Sequence, residues 1–170
     1  MLQQLTLFQS EGLGDFRTLM IAVSQNPAML MFLDAGVNIK SAPNENFARE
    51  MVEIFTMGVG HYTEQDVKEA ARTFTGWNFK GLDFEINALE HDNDSKTFLG
   101  HSGNLDGIDV IDIILEQKVT SEFIAGKIYG FLASQKITDD LKAELGVSLK
   151  SKKYELKPFL KDISYLPISE

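Results

Sequence analysis

The 170-residue chain contains no cysteine. Disulfides, thiolate zinc sites and cysteine nucleophiles are excluded together. The compartment stays open, because a cysteine-free chain suits cytoplasm and periplasm equally. Positive charge is also scarce: 16 Lys and Arg face 25 Asp and Glu, a formal charge of −9. Such a surface repels a phosphate backbone unless basic residues segregate into a patch. The one basic cluster is Lys150, Lys152, Lys153, Lys157 and Lys161, interrupted by Glu155 and Asp162. Without interleaved aromatics it reads as a solvated helix face, so nucleic acid is not an expected partner. No run is long and apolar enough to span a bilayer; the best candidate, Leu19 to Leu33, is broken by Ser24, Gln25, Asn26 and Pro27. Met1 is followed by Leu2, Gln3 and Gln4, without the basic segment of a signal peptide. There is no internal repeat and no HExxH, GxSxG, P-loop or GxGxxG pattern. This argues against a zincin, an α/β-hydrolase, a P-loop NTPase and a Rossmann enzyme.

What is present fits one globular domain spanning 1–170. Apolar residues make up 44% and charged residues 24%, ordinary values for a chain with a core. Helical punctuation is frequent. Phe16, Leu19, Met20 and Val23 have helical spacing. Asn26-Pro27 reads as an N-cap with proline at the first helical position, and Gly36 as a C-cap. A helix from Asn44 to Met57 has the apolar arc Phe47, Met51, Ile54 and Phe55, and stops at Gly58. Thr63 with Asp66 three residues later looks like a capping box. The helix it opens turns Val67, Ala70, Ala71 and Phe74 inward and ends at Gly76-Trp77. Further helices are expected over Ile108–Gln117, from a Thr120-Ser121 cap through Phe131 with Phe131 inward, from Thr138 to near Gly146, and over Tyr154–Ile163. Residues 78–106 differ. Phe84-Glu85-Ile86 and Thr97-Phe98-Leu99 alternate like strands around the polar run Glu90 to Ser95, which predicts one β-hairpin with a long loop. The fold class is all-α, or mainly α with this hairpin insert at about 82–99.

Candidate chemistry concentrates in two segments. The first is Asn44-Glu45-Asn46-Phe47-Ala48-Arg49-Glu50-Met51-Val52-Glu53. At a hundred degrees per residue, Asn46, Glu50, Glu53 and Met57 share one stripe, with Glu45 and Arg49 beside it. Glu50 and Glu53 repel each other, and if buried they need a cation, a shared proton or a metal. Arg49 and Arg72 are available cations. Paired carboxylates can do acid/base work, or hold a divalent metal with a histidine. The plainer alternative is an Arg–Glu network pinning helices together. The second segment is His91-Asp92-Asn93-Asp94-Ser95-Lys96. A carboxylate beside a histidine can orient the imidazole or bind metal. Asp92-Asn93-Asp94 begins like a calcium loop, but Lys96 stands where the next oxygen ligand belongs and no glycine follows. Trp77, the only tryptophan, sits where helix meets hairpin, as a packing anchor or a pocket wall.

Taken in order, these residues resemble a family signature. Asn44-Glu45-Asn46-Phe47-Ala48-Arg49-Glu50, Glu53, Gly58-Val59-Gly60, Tyr62-Thr63-Glu64-Gln65-Asp66-Val67, Ala71-Arg72 and Thr75-Gly76-Trp77 look like a large bacterial domain-of-unknown-function family, number eighteen hundred. Asn26-Pro27-Ala28-Met29, Leu33-Asp34, His91-Asp92, Lys96 and Phe98-Leu99-Gly100 add to the likeness. The resemblance implies a helical, often exported protein, with this chain in the carboxy-terminal half of a longer member. It also implies a departure: many members carry histidine where Phe55 stands, so a metal site built on that histidine and the glutamates lacks a ligand here.

Two functional expectations follow. In the first, Glu50 and Glu53 form a hydrolase-like or metal-assisted site with His91 and Asp92. In the second, Asn44, Glu45, Asn46, Arg49, Arg72, Trp77 and Lys96 belong to a carboxylate–arginine network. The domain is then a helical scaffold or envelope-associated binding module, with no cofactor, whose partner is the rest of a longer chain or an envelope protein. Phe55 and the fragment-like extent tip the balance to the second.

Overall fold

The structure, a computed structural model, describes residues 2–134 and 136–165, with residues 2 and 3 as backbone only. Met1, on which the signal-peptide expectation rests, lies outside the described residues, as does the end of the 1–170 span. Short polar caps start several helices. Asp15 accepts from the amides of Arg17 and Thr18 at the head of α2 (Phe16–Ser24). Asn26 does the same for α3 (Pro27–Phe32) by accepting from Ala28. Thr63 and Asp66 form the expected reciprocal capping box of α5 (Glu64–Thr73). Between them α4 (Asn46–Glu50) runs directly into a π-helical turn, Met51–Thr56. The wider turn is fixed where the Met57 amide reaches the Val52 carbonyl at 2.9 Å and the Thr56 hydroxyl takes the Met51 carbonyl at 2.6 Å. It breaks the hundred-degree stripe: Met57 is buried in the core instead of lining up with Glu50 and Glu53. The remaining helices are α1 (Leu2–Glu11), α6 (Gly107–Glu116), α7 (Lys118–Leu132), α8 (Asp139–Ser151) and α9 (Leu156–Ser164). No helix among the described residues is long and apolar enough to cross a membrane.

The chain is mainly helical with a small β insert between α5 and α6, as the pattern predicts. The pairing inside the insert is different. β1 (Trp77–Lys80) pairs with β2 (Asp83–Ile86), and β3 (Lys96–Phe98) with β4 (His101–Gly103). The segments at 84–86 and 97–99 therefore do not pair with each other. Each closes on its nearest neighbour through a two-residue turn, which costs less entropy than closing a ten-residue loop. Gly81 opens the first turn at φ +64, and Leu99-Gly100, both at positive φ, form the second.

Other expectations are also corrected. α7 begins at Lys118, and Thr120 is buried with its hydroxyl on the Ile114 carbonyl instead of capping. Phe131 is 90% exposed, not inward. Leu33 caps α3, with Asp34 following in the left-handed region, and Gly36 falls in a 3-10 turn. α8 continues past Gly146 to Ser151. The core at the insert is aromatic. Phe74 meets both Phe47 and Trp77 edge-on, and Trp77 meets Phe84, each at 5.0 Å between centroids. Such contacts add about 0.5–1.5 kcal/mol each beyond burial.

Gly76 lets the β2–β3 loop close against the end of α5. It sits at φ +78, and a Cβ there would lie 2.5 Å from the Asn87 carbonyl oxygen. Gly81 shares the positive φ, but a Cβ there meets nothing within 4 Å. Gly76→Ala is expected to cost more than about 3 kcal/mol in denaturant unfolding, and Gly81→Ala only about 1–2 kcal/mol, the price of left-handed backbone alone. Equal losses would show that the close approach at Gly76 is not what matters.

Candidate functional site

Asp66, Glu69 and Arg72 lie three apart on α5, with Thr75 next in the series just past its end. Residues three apart share a helix face. β3 passes along this face in the opposite direction. The Leu99 amide donates to Asp66 at 2.9 Å and the Thr97 amide to Glu69 at 3.0 Å. Arg72 donates to the Ser95 carbonyl at 3.3 Å. The outward amides of an edge strand, two residues apart, thus find acceptors on a helix instead of on another strand. Asp66 also holds the backbone of Leu99 in its left-handed turn conformation.

Arg72 ties the loop before β3 to the same face. Its Nε donates to Asp92 at 2.7 Å and its Nη1 to Glu69 at 3.0 Å. The Asp92 amide donates to the Thr75 hydroxyl at 2.8 Å, and His91 Nδ1 lies 2.8 Å from the Thr75 carbonyl. Burial pushes the Asp92 carboxyl up, but the Arg72 guanidinium and the Asp94 amide outweigh it and hold the group below its ordinary value. The same contest, settled by the Thr63 and Leu99 donors, holds Asp66 low.

Lys96 is the centre of the insert. The residue is only 1% exposed. Its ammonium donates to the carbonyls of Asp92 at 2.6 Å, Asp94 at 3.0 Å and Leu105 at 3.0 Å, with Asn104 Oδ1 at 3.4 Å. Three N–H groups meet three carbonyls, so the buried charge is fully solvated by the protein. Burial lowers the Lys96 pKa, against the pull of Asp92. The ammonium thus fills an oxygen-lined site with the chain's own cation.

The first segment is built differently. Asn44 caps α4 by accepting from the Asn46 amide at 2.9 Å, and the Asn46 amide group donates to the Leu33 carbonyl at 3.2 Å. Arg49 reaches Glu45 at 2.9 Å and Glu64 at 2.7 Å. Glu53 accepts from the Tyr62 hydroxyl at 2.7 Å. Burial and the Glu53 carboxylate push the Tyr62 phenol up to about 12. Glu50 is half-buried and makes no hydrogen bond or ion pair among the described residues. Phe55 lines an apolar cleft with Phe16, Leu19 and Phe123. Trp77 is buried as a packing anchor.

These positions decide what meets what. No hydrogen bond or ion pair among the described residues joins Glu50 or Glu53 to His91 or Asp92. Arg49 engages α5 at Glu64 and Asp92 engages it at Arg72. Eight residues of helix separate those anchors, about 12 Å along the axis. Among the described residues, no three His, Asp or Glu side chains converge in a way that could hold a metal ion. Arg72 pairs with Glu69 and Asp92 rather than with Glu45, Glu50 or Glu53.

Residues 1–167 match the family model described as protein of unknown function (DUF1800). The chain belongs to the DUF1800 family. No curated protein and no solved structure matches it. In this DUF1800 chain the polar face of α5 is what sequence reading missed: Glu69 was not singled out, Thr75 was named only within the family signature, and Asp66 only there and as a cap. Nor was Asn38, whose buried amide bridges the Ala71 carbonyl at 2.8 Å and the Asn44 amide at 2.8 Å. The three-residue spacing on α5 was a visible signal; its partners, about thirty residues on, were not.

Lys96→Met is expected to destabilise the DUF1800 domain by about 3 kcal/mol or more, because carbonyls are left buried without donors. Arg49→Ala, whose partner Glu64 is exposed, is expected to cost less than about 1 kcal/mol. The Asp92 pKa is depressed on folding, so its stabilisation is present above the unfolded pKa and is lost as pH falls through the folded one. Asp92→Asn should therefore flatten the acid limb of the stability–pH curve; an unchanged limb would contradict the assignment.

Proposed function

We propose that this domain acts by binding, as a helical scaffold that holds its β insert rigid, and not by chemistry on a substrate. One observation carries the reading: apart from Glu50, the charged groups of the two polar segments that would serve catalysis are largely used inside the fold. Arg72 neutralises Asp92 and Glu69, Arg49 joins Glu45 to Glu64, and Lys96 is enclosed by carbonyls. Glu53 is held by Tyr62, while Arg49 and Asp92, one from each polar segment, engage α5 at Glu64 and Arg72. The surface supplies a place to dock. Leu13, Phe131, Leu132 and Leu160 line an apolar groove with Lys127 at its edge, the kind of exposed patch that marks interaction sites. The partner suggested by the family resemblance is the rest of a longer chain or an envelope protein, in an exported setting. The acidic surface speaks against nucleic acid.

The test combines hydrogen exchange with assays for turnover and metal. Arg72→Ala should raise exchange at the Thr97 and Leu99 amides while α7 and α8 keep their protection. A panel of ester, phosphate and glycoside substrates should show no turnover that depends on Glu50 or His91. Activity abolished by Glu50→Gln or His91→Ala would sink the scaffold reading. So would a stoichiometric metal whose chelation lowers Tm.

A further inference from the structure

The α5 side chains and Lys96 clamp β3 and the loop before it; beside this clamp a polar pocket of about 320 Å³ opens, lined by Lys40, His91, Asp92, Asn93 and Asp94. Backbone bonds fix its walls. The Lys40 amide donates to the Glu90 carbonyl at 2.9 Å, the Gly76 amide to the Asn38 carbonyl at 2.9 Å, and the Asn87 amide to the Gly76 carbonyl at 2.7 Å. Two loops far apart in sequence, around 38–40 and 87–94, are stitched together at the end of α5.

The side chains at this pocket are not equally free. Asp92 has both oxygens engaged, one by Arg72 and one by the Asp94 amide. It is wall, not ligand. His91 Nδ1 faces the Thr75 carbonyl at 2.8 Å, and a carbonyl can only accept. Nδ1 therefore carries the proton, and in the neutral ring Nε2 is a bare acceptor. No hydrogen-bond partner takes Nε2 among the described residues. The Lys40 and Asp94 side chains likewise make no hydrogen bond or ion pair among the described residues, and they do not pair with each other across the pocket. The Asn93 amide reaches only the His91 carbonyl, at 3.4 Å. The Lys96 ammonium acts on the Asp94 carboxylate through space, but its hydrogen bonds go to backbone oxygens and Asn104.

An unmatched cation, an unmatched anion and a bare imidazole acceptor on one small pocket complement a ligand bearing both charges. We propose that this pocket binds a small zwitterion of the α-amino-acid class. Its carboxylate meets the Lys40 ammonium and the Asn93 amide. Its ammonium donates to the Asp94 carboxylate and to His91 Nε2. The pocket, about 320 Å³, has room for such a molecule. The proposal does not depend on the scaffold reading, because the Lys40 and Asp94 side chains take no part in the clamp.

The experiment titrates the full chain with glycine and with alanine, and with methylamine and acetate as half-ligands. Binding is followed by calorimetry and by amide shifts at Asn93 and Asp94. Glycine or alanine should bind saturably, with each half-ligand at least tenfold weaker. Lys40→Ala and Asp94→Asn should each weaken binding at least tenfold while leaving Tm unchanged, which separates lost recognition from lost folding. The proposal is overturned by any of three results: no saturable response to either amino acid up to about 10 mM, acetate or methylamine binding as tightly as glycine, or affinity unchanged in both variants.

Discussion

An edge strand with no neighbouring strand must find acceptors for its outward amides, and α5 supplies them. Asp66 and Glu69 accept from Leu99 and Thr97, and Arg72 and Thr75 hold the loop that leads in. A helix rises about 1.5 Å per residue and a strand about 3.3 Å. Carboxylates three apart on the helix can therefore serve amides two apart on the strand only because Asp and Glu differ in reach. The β insert is small, and two-stranded ribbons are marginal alone. Its order comes from this face and from Lys96 beneath it.

Lys96 makes the clamp self-contained. A loop opening Asp92-Asn93-Asp94 gathers oxygens, and oxygens facing inward need a cation. The chain provides its own, tethered two residues after Asp94, with its three hydrogens matched to three carbonyls. Arg72 performs the same service for Asp92 and Glu69 from the other side. Charge is thereby balanced locally within a protein of net charge −9. The loop is left with His91 Nε2 and Asp94 unpaired among the described residues, beside Lys40 from the 38–40 loop. Within the family-like segments, Asp92, Lys96, Arg72 and Thr75 all build the clamp.

The first polar segment teaches a different lesson. Its helix was legible from the apolar arc, and so was the i,i+4 pair of Arg49 with Glu45. The π-helical turn at Met51–Thr56 was not, because an extra residue per turn leaves no mark on a short apolar pattern. It puts Met57 into the core and turns Glu53 toward Tyr62. A stripe drawn at constant angle fails at that turn, and Glu53 takes Tyr62 as its partner. Phe131 failed for a related reason. Helical spacing identifies an apolar face but does not say whether another element covers it.

Local chemistry was therefore readable from the residues alone. Caps at Asn26, Thr63 and Thr138, the mainly helical class, the β character of 78–106 and the family likeness all rest on interactions within a few residues. Tertiary structure alone decided the rest: which strand each segment pairs with, that α5 serves as the missing neighbour of β3, that Lys96 is buried, and that Arg49 and Asp92 engage α5 at different residues. The contacts of α5 with the insert join residues as far as thirty-three positions apart, such as Arg72 with Asp92 and Asp66 with Leu99. They depend on which loop closures cost least and on which buried groups find partners, and a periodicity measured over one or two helical turns contains neither quantity.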